Sequence, residues 1–225
     1  MAPVSVAELG ARAKAASRVL AMATAAAKDE ALLGAADLLT AHGEEILEAN
    51  AGDVEAAKAA GSPESVVDRL RLTCARIESM ADALRQVVAL PDPVGEVVDG
   101  WVRPNGLRVQ RVRVPLGVVG VIYENRPNVT SDAAGLCLKS GNAAFLRGSS
   151  AALASNTAIV SLLRQGAERA GLPADAIVLV DDVSRETAIE FMRLTGIIDC
   201  LIPRGGPSLI AAIREHATVP YVIDG

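Results

Sequence analysis

Apolar positions in the first ninety residues recur at helical spacing, and beyond them the spacing changes to that of strands. Leu9, Ala13, Ala16, Leu20 and Ala23 fall near one face of a helix that Ser5 and Glu8 would open as a capping box, which predicts a helix over 6–27. Further helices are predicted over 29–41 and 44–60, the latter stopped by Gly61. Ser62, Pro63 and Glu64 read as N-cap, first helical residue and first-turn acid of a helix reaching about residue 88. Val66, Leu70, Ile77, Met80 and Leu84 would face inward, with a break near 72–73. No catalytic set shows in this region, and its charged residues read as solvated faces.

After Pro91 and Pro93 the pattern becomes that of strands. Asn105-Gly106 predicts a tight hairpin with both central residues at positive φ, between 101–103 and 107–114. A phase shift between Val109 and Val112 predicts a bulge at Gln110-Arg111. Arg103, Arg108, Arg111 and Arg113 decorate this hairpin, as a solvated or subunit-pairing ribbon in preference to a phosphate site. From Gly117 onward strands (118–123, 143–147, 176–181, 198–202, 220–223) alternate with helices (132–140, 151–169, 185–194, 207–216). The continuous β-branched run from Val118 to Tyr123 suits a strand covered on both faces; Thr130 or Ser131 would cap the next helix and Gly141 would stop it. The prediction is an α/β fold: a helical segment (1–92), a hairpin (93–116), and an open parallel sheet with helices on both faces (117–225). Such sheets bind ligands beyond the carboxyl ends of their strands.

Composition narrows the function. The chain is 51% hydrophobic but only 2% aromatic and carries a net charge of −5, which disfavours an aromatic, basic nucleic-acid platform. The start of the sequence lacks a basic and apolar leader, and no apolar run approaches the ~18 residues of a membrane span. A cytoplasmic protein binding neither membrane nor nucleic acid is expected. Cys74, Cys137 and Cys200 are widely spaced, and His42 and His216 are far apart, so neither a disulfide framework nor a metal site is expected.

The dinucleotide fingerprint GxGxxG with a later acid is absent. Two other motifs are present: VIYENRPNVTSDAAGLCLKSGNAAFLRG at 121–148 and DCLIPRGGPSLI at 199–210. They resemble the gamma-glutamyl phosphate reductases, also called glutamate-5-semialdehyde dehydrogenases, a family of the aldehyde dehydrogenase superfamily. The resemblance extends from about the first helix to the last strand. It implies an aldehyde-dehydrogenase-like, Rossmann-type sheet binding the cofactor, and a hairpin that contributes to oligomerisation, so that a homo-oligomer is expected. The implied reaction is NADPH-dependent reduction of an acyl phosphate, L-glutamate 5-phosphate, to L-glutamate 5-semialdehyde through a cysteine thioester, in proline biosynthesis. Glutamate 5-kinase becomes a candidate partner. The family's nucleophilic cysteine lies in a later domain that this chain lacks. Cys137 and Cys200 sit in apolar segments and Cys74 in a helical one, so the chain alone is expected to be inactive.

Site residues follow from the same resemblance. Arg147, Gly148, Ser149 and Ser150 occupy the position of a segment that meets the adenosine ribose. With no acid there, the guanidinium and two hydroxyls beside a helix N-terminus would receive a 2′-phosphate and favour NADPH, although a helix cap with a surface arginine is the alternative. Arg204, Gly205, Gly206 and Ser208 match the glycine-containing cofactor loop, open to a pyrophosphate at a helix start. Asn125 aligns with an asparagine that binds a developing oxyanion, against the alternative of a loop-supporting amide. Arg126 and Asn128 are candidates for substrate contacts, Arg126 alternatively for a structural ion pair. Two other readings remain open: a non-catalytic nucleotide-binding or interaction module, and a CoA-acylating aldehyde dehydrogenase.

Overall fold

The computed structural model describes residues 4–223. Five helices come first: α1 (Val6–Leu20), α2 (Ala25–Ala41), α3 (Gly43–Ala59), α4 (Glu64–Leu70) and α5 (Cys74–Ala89). The helix expected over 6–27 stops at Leu20, because the Thr24 hydroxyl accepts from Ala27 N at 3.2 Å and starts α2 four residues earlier than expected. Thr73 likewise accepts from Arg76 N at 3.2 Å and starts α5, so the segment over 62–88 is two helices with the expected break near 72–73. Pro63 is extended (φ −55°, ψ 145°) and precedes α4 instead of opening it, so Ser62 is not its cap.

The hairpin pairs β1 (Val97–Val102) with β2 (Arg108–Val112). Its turn is longer than expected: Gly106 has φ 85° and, among the described residues, no non-glycine residue has positive φ, so Asn105 does not. Gly106 N donates to Arg103 O and Arg103 N to Leu107 O, both at 2.8 Å. The register shift lies between Val97 and Asp99, which places the bulge at Val98 of β1, opposite Arg111 and Val112, instead of at Gln110-Arg111. All six residues of β1 are exposed.

The second sheet has four parallel strands in the order β5-β4-β3-β6, namely β5 (Ile177–Leu179), β4 (Ala143–Arg147), β3 (Val118–Tyr123) and β6 (Cys200–Arg204). Every residue of β3 is buried, as its apolar run predicts. The last expected strand is reduced to a parallel bridge between Leu201 and Tyr221. Helices α6 (Asn128–Lys139), α7 (Leu153–Arg169) and α8 (Arg185–Met192) are the crossovers, and α9 (Pro207–His216) follows β6. Helix α6 begins earlier than expected, directly after Pro127, so Thr130 and Ser131 are buried within it and cap nothing. Its end is as expected: Gly141 has φ 74°, and Asn142 N closes back to Cys137 O at 2.8 Å.

Right-handed crossovers put α6 and α7 on one face of the sheet and α8, with α1 against it, on the other. One buried cluster runs from Val6 to Val219, so α1, α2, α3 and α5 share the core of the sheet, while Val67 and Leu70 of α4 pack with Val54 and Ala57 of α3 in a second, smaller one. At Gly166 of α7 an added Cβ would stand 2.7 Å from Ala35 N and 2.9 Å from Ala31 O; α2 and α7 touch through their backbones. Ion pairs at 2.6 Å, Lys28–Asp92 and Lys139–Asp29, tie the start of α2 to the loop after α5 and to the end of α6. The chain leaves β3 toward β4 on one side while β6 lies on the other, which makes the carboxyl ends of β3 and β6 the switch point where a crevice opens.

Candidate cofactor and acyl-transfer site

Three loops leave that edge side by side, because Tyr123 pairs with Arg204 and Ile122 with Arg147 in the strand register. A cleft of about 510 Å³ opens there, lined by Glu124, Asn125 and Arg126 after β3, Arg204, Gly205 and Gly206 after β6, and Val66 and Arg69 of α4. Asn125 is half-buried, and its Oδ1 accepts from the Ser149 hydroxyl at 2.7 Å. With the oxygen engaged, the amide presents its NH2 as the donor. Five of the residues singled out in the sequence therefore line one cleft, and a sixth, Ser149, orients one of the five.

At the start of α9 the chain's own carboxylate is in place. Gly206 N donates to Glu124 Oε2 at 3.1 Å, and a Cβ on Gly205 would lie 2.7 Å from Glu124 Cδ. The glycine pair leaves room for an anion to approach the helix amides, but Glu124 stands there first. Sequence reasoning assigned Glu124 no role, although its place beside Asn125 in the loop was the available signal.

Arg147 is turned away from this cleft. Its Nη2 donates to Val183 O at 2.9 Å and Ser184 O at 2.7 Å, so the guanidinium holds the loop between β5 and α8. Burial lowers its pKa, opposed by the charge of Asp182. Gly148 is packed so closely that a Cβ would collide with Asn156 Nδ2. Beneath it lies a buried chain in which Tyr123 OH meets Thr130 Oγ1 at 2.7 Å and Thr130 donates to Asn156 Oδ1 at 2.9 Å. Ser150 and Ser208 are exposed and do not line the cleft.

The expectation that a helix N-terminus beside Arg147 would receive a phosphate needs correction. Residues 150–152 form a 3₁₀ turn, and the first amides of α7 are already satisfied. Asp53 of α3 accepts from Ala154 N (3.3 Å), Ser155 N (2.8 Å) and Ser155 Oγ (2.6 Å). No local signal could have revealed a cap that comes from about a hundred positions earlier in the chain.

A second cavity of about 390 Å³ adjoins the first and shares Arg69 and Arg126 with it. It is lined also by Arg71, Arg76, Asn128 and Asp132. Asn128 Nδ2 donates to Asp132 Oδ2 at 3.1 Å. Burial raises the pKa of Asp132, against the opposing pull of that hydrogen bond and of Arg204. Among the described residues neither Arg69 nor Arg126 has an ion-pair partner, so the structural ion pair that the sequence left open for Arg126 does not form among them. None of the three cysteines lines either cavity. Burial pushes the Cys137 thiol up to about 12 and raises that of Cys200, while Cys74 is exposed at the start of α5.

The profile of the aldehyde dehydrogenase family matches residues 3–218. A gamma-glutamyl phosphate reductase of Syntrophomonas wolfei is 52% identical over 218 residues, covering 97% of this chain and 52% of that protein. The crystal structure of gamma-glutamyl phosphate reductase from Thermotoga maritima superposes with a TM-score of 0.95 at 45% identity, over 97% of this chain and 53% of that one. The Saccharomyces cerevisiae enzyme of the same name gives 0.90 at 27% identity, over 97% and 56%. The chain thus spans about half the length of the relatives it matches.

Proposed function

This chain belongs to the aldehyde dehydrogenase family, and from that premise we propose that it supplies the cofactor-binding part of an NADPH-dependent reductase of L-glutamate 5-phosphate. The product is L-glutamate 5-semialdehyde, with release of phosphate, a step of proline biosynthesis. The observation that carries this reading is the 52% identity to a reductase of that name across 97% of the chain. The cleft at the β3–β6 switch point supports it, because an amide donor and a glycine-lined helix start meet there.

Gly205 and Gly206 leave space for the pyrophosphate of the cofactor to reach the α9 amides once the Glu124 side chain moves aside. Bound there, NADPH supplies the hydride. Asn125 donates its amide N–H to the carbonyl oxygen as negative charge develops on it, and Ser149 holds the amide in that sense. The route requires a thiolate to attack the acyl carbon and expel phosphate. Cys74, Cys137 and Cys200 do not serve, since none lines the cleft and burial raises the pKa of Cys137 and Cys200. The absence of an acid at Gly148–Ser150, with Arg147 adjoining, supports NADPH over NADH.

The same reading places the protein in the cytoplasm; among the described residues no helix is long and apolar enough to cross a membrane. It also assigns the exposed hairpin, with Val98, Trp101, Val102 and Val112 uncovered, to pairing with a second copy of the chain. Glutamate 5-kinase stands as a candidate partner for the substrate. The decisive assay follows NADP reduction by L-glutamate 5-semialdehyde and phosphate, using the protein at its full natural length. Phosphate-dependent turnover is expected. Turnover that requires coenzyme A in place of phosphate would assign the chain to a CoA-acylating enzyme, and nucleotide binding without any turnover would assign it to a binding module.

A further inference from the structure

We propose that the second cavity, between α4, the start of α5 and α6, is the head-group subsite, in which Arg69 and Arg126 hold the α-carboxylate of the amino-acid substrate and Asp132 its α-ammonium. The proposal rests on the functional reading above and adds to it the end of the molecule that does not react.

The cavity combines both signs of charge on a scale that suits a zwitterion. Its volume of about 390 Å³ is ample for a head group and its short side chain. Four guanidinium groups line it, but they are not equivalent. Arg76 is committed to the protein: its Nη1 donates to the carbonyls of Asp68 and Arg71, and its Nη2 lies 3.4 Å from the Asp68 carboxylate. Arg71 approaches Glu64 at 3.6 Å. Arg69 and Arg126 are the two without an ion-pair partner among the described residues. They come from separate elements, α4 and the loop after β3, and they form the shared wall of both cavities. A carboxylate bound between them receives charge-assisted hydrogen bonds without displacing an existing partner.

Asp132 supplies the opposite charge. It stands in the first turns of α6, half-buried, with Oδ2 receiving one neutral donor from Asn128; the charge of Arg204 acts on it, but no ion-pair contact to it forms among the described residues. A carboxylate in this setting lacks part of the solvation it would have in water, and a substrate ammonium restores it. Asn128 therefore acts on the substrate through Asp132, as a positioning residue. The reacting end of the same molecule points back into the first cavity, where Asn125 lies next in sequence to Arg126. The subsite thus selects an amino-acid acyl phosphate over a simple aliphatic one, and part of that selection comes from the N-terminal helices.

The test uses the full-length protein and the reverse reaction with NADP and phosphate, on three aldehydes: L-glutamate 5-semialdehyde, 5-oxopentanoate, which lacks the ammonium, and pentanal, which lacks both charges. Arg69→Gln and, separately, Arg126→Gln are expected to raise KM for the semialdehyde about 10- to 100-fold, and to raise KM for NADP and for pentanal far less. Asp132→Asn is expected to abolish the preference for the semialdehyde over 5-oxopentanoate while keeping the preference of either over pentanal. Equal losses on all three aldehydes, or none, would overturn the subsite. If the unsubstituted protein turns over none of them, the parent reading fails instead, and NADPH binding by that protein shows whether the cofactor half of it survives.

Discussion

The carboxylate of Glu124 accepts a hydrogen bond from the backbone amide of Gly206, 3.1 Å away, at the first turn of α9. In the proposed reading a cofactor pyrophosphate approaching the same amide would meet a like charge, so binding would require Glu124 to leave. Glu124→Gln keeps an acceptor for Gly206 but removes the charge. It is expected to tighten NADPH binding about 3- to 10-fold in a fluorescence titration and to lower stability by about 0.3–1 kcal/mol, the value of an acid at a helix start. Unchanged or weaker binding would show that Glu124 does not compete with the cofactor.

The Ser149 hydroxyl, on the loop after β4, fixes the amide of Asn125, on the loop after β3, at 2.7 Å. Removing the amide itself by Asn125→Ala should cost about 10²- to 10³-fold in kcat, as for a single oxyanion donor. Ser149→Ala leaves the amide present but free to rotate; a loss of about 3- to 10-fold in kcat with little change in KM is expected, and Ser149→Thr should restore most of it. A fall in cofactor affinity in place of kcat would return Ser149 to the cofactor site.

These two contacts also mark how far the sequence could be read. The strands β3, β4 and β6 and the Gly141 stop were legible because each is written in consecutive residues: an uninterrupted apolar run, or one glycine at φ 74°. Asn125, Gly205 and Gly206 could be named because their motifs are local. The division of 6–27 into two helices was not legible, since alanine periodicity continues through the break and only the Thr24 cap marks it. Still less legible was the Asp53 carboxylate on the start of α7, or Arg69 lining one cleft with Arg126, because those arrangements exist only once α3 and α4 have packed in place. A charged residue on a short helix reads as a solvated face until the partner element is in place.

Arg147 donates to Val183 O and Ser184 O, and the same side chain is the one expected to meet a 2′-phosphate. The two roles separate experimentally. If the phosphate role holds, Arg147→Ala should weaken NADPH by about 1.5–3 kcal/mol and NADH far less, by titration of each. If the side chain serves only the β5–α8 loop, both cofactors should weaken together and the midpoint of thermal unfolding should fall with them.

Cys137 of α6 is buried, and its thiol is pushed from the ordinary 9.0 up to about 12, chiefly by desolvation. The Tyr123 phenol is raised by the same cause against its hydrogen bond to Thr130. Both groups keep their protons in the folded chain at a pH where the unfolded chain has begun to lose them. The folded state then binds more protons than the unfolded one, so stability must fall as pH rises. The contribution is intact below pH 9 and is lost progressively between about 9 and 12. Urea unfolding followed from pH 8 to 11 should show this decline, and Cys137→Ala should flatten it in part while costing some stability at pH 8 through the small cavity it leaves. Alkylation gives an independent reading of the same burial. At pH 8 Cys74, exposed at the first residue of α5, should react with iodoacetamide in the native protein, whereas Cys137 should react only after denaturant is added. Rapid native labelling of Cys137, or an unfolding free energy that stays level to pH 11, would show that the thiol is not held in the apolar core.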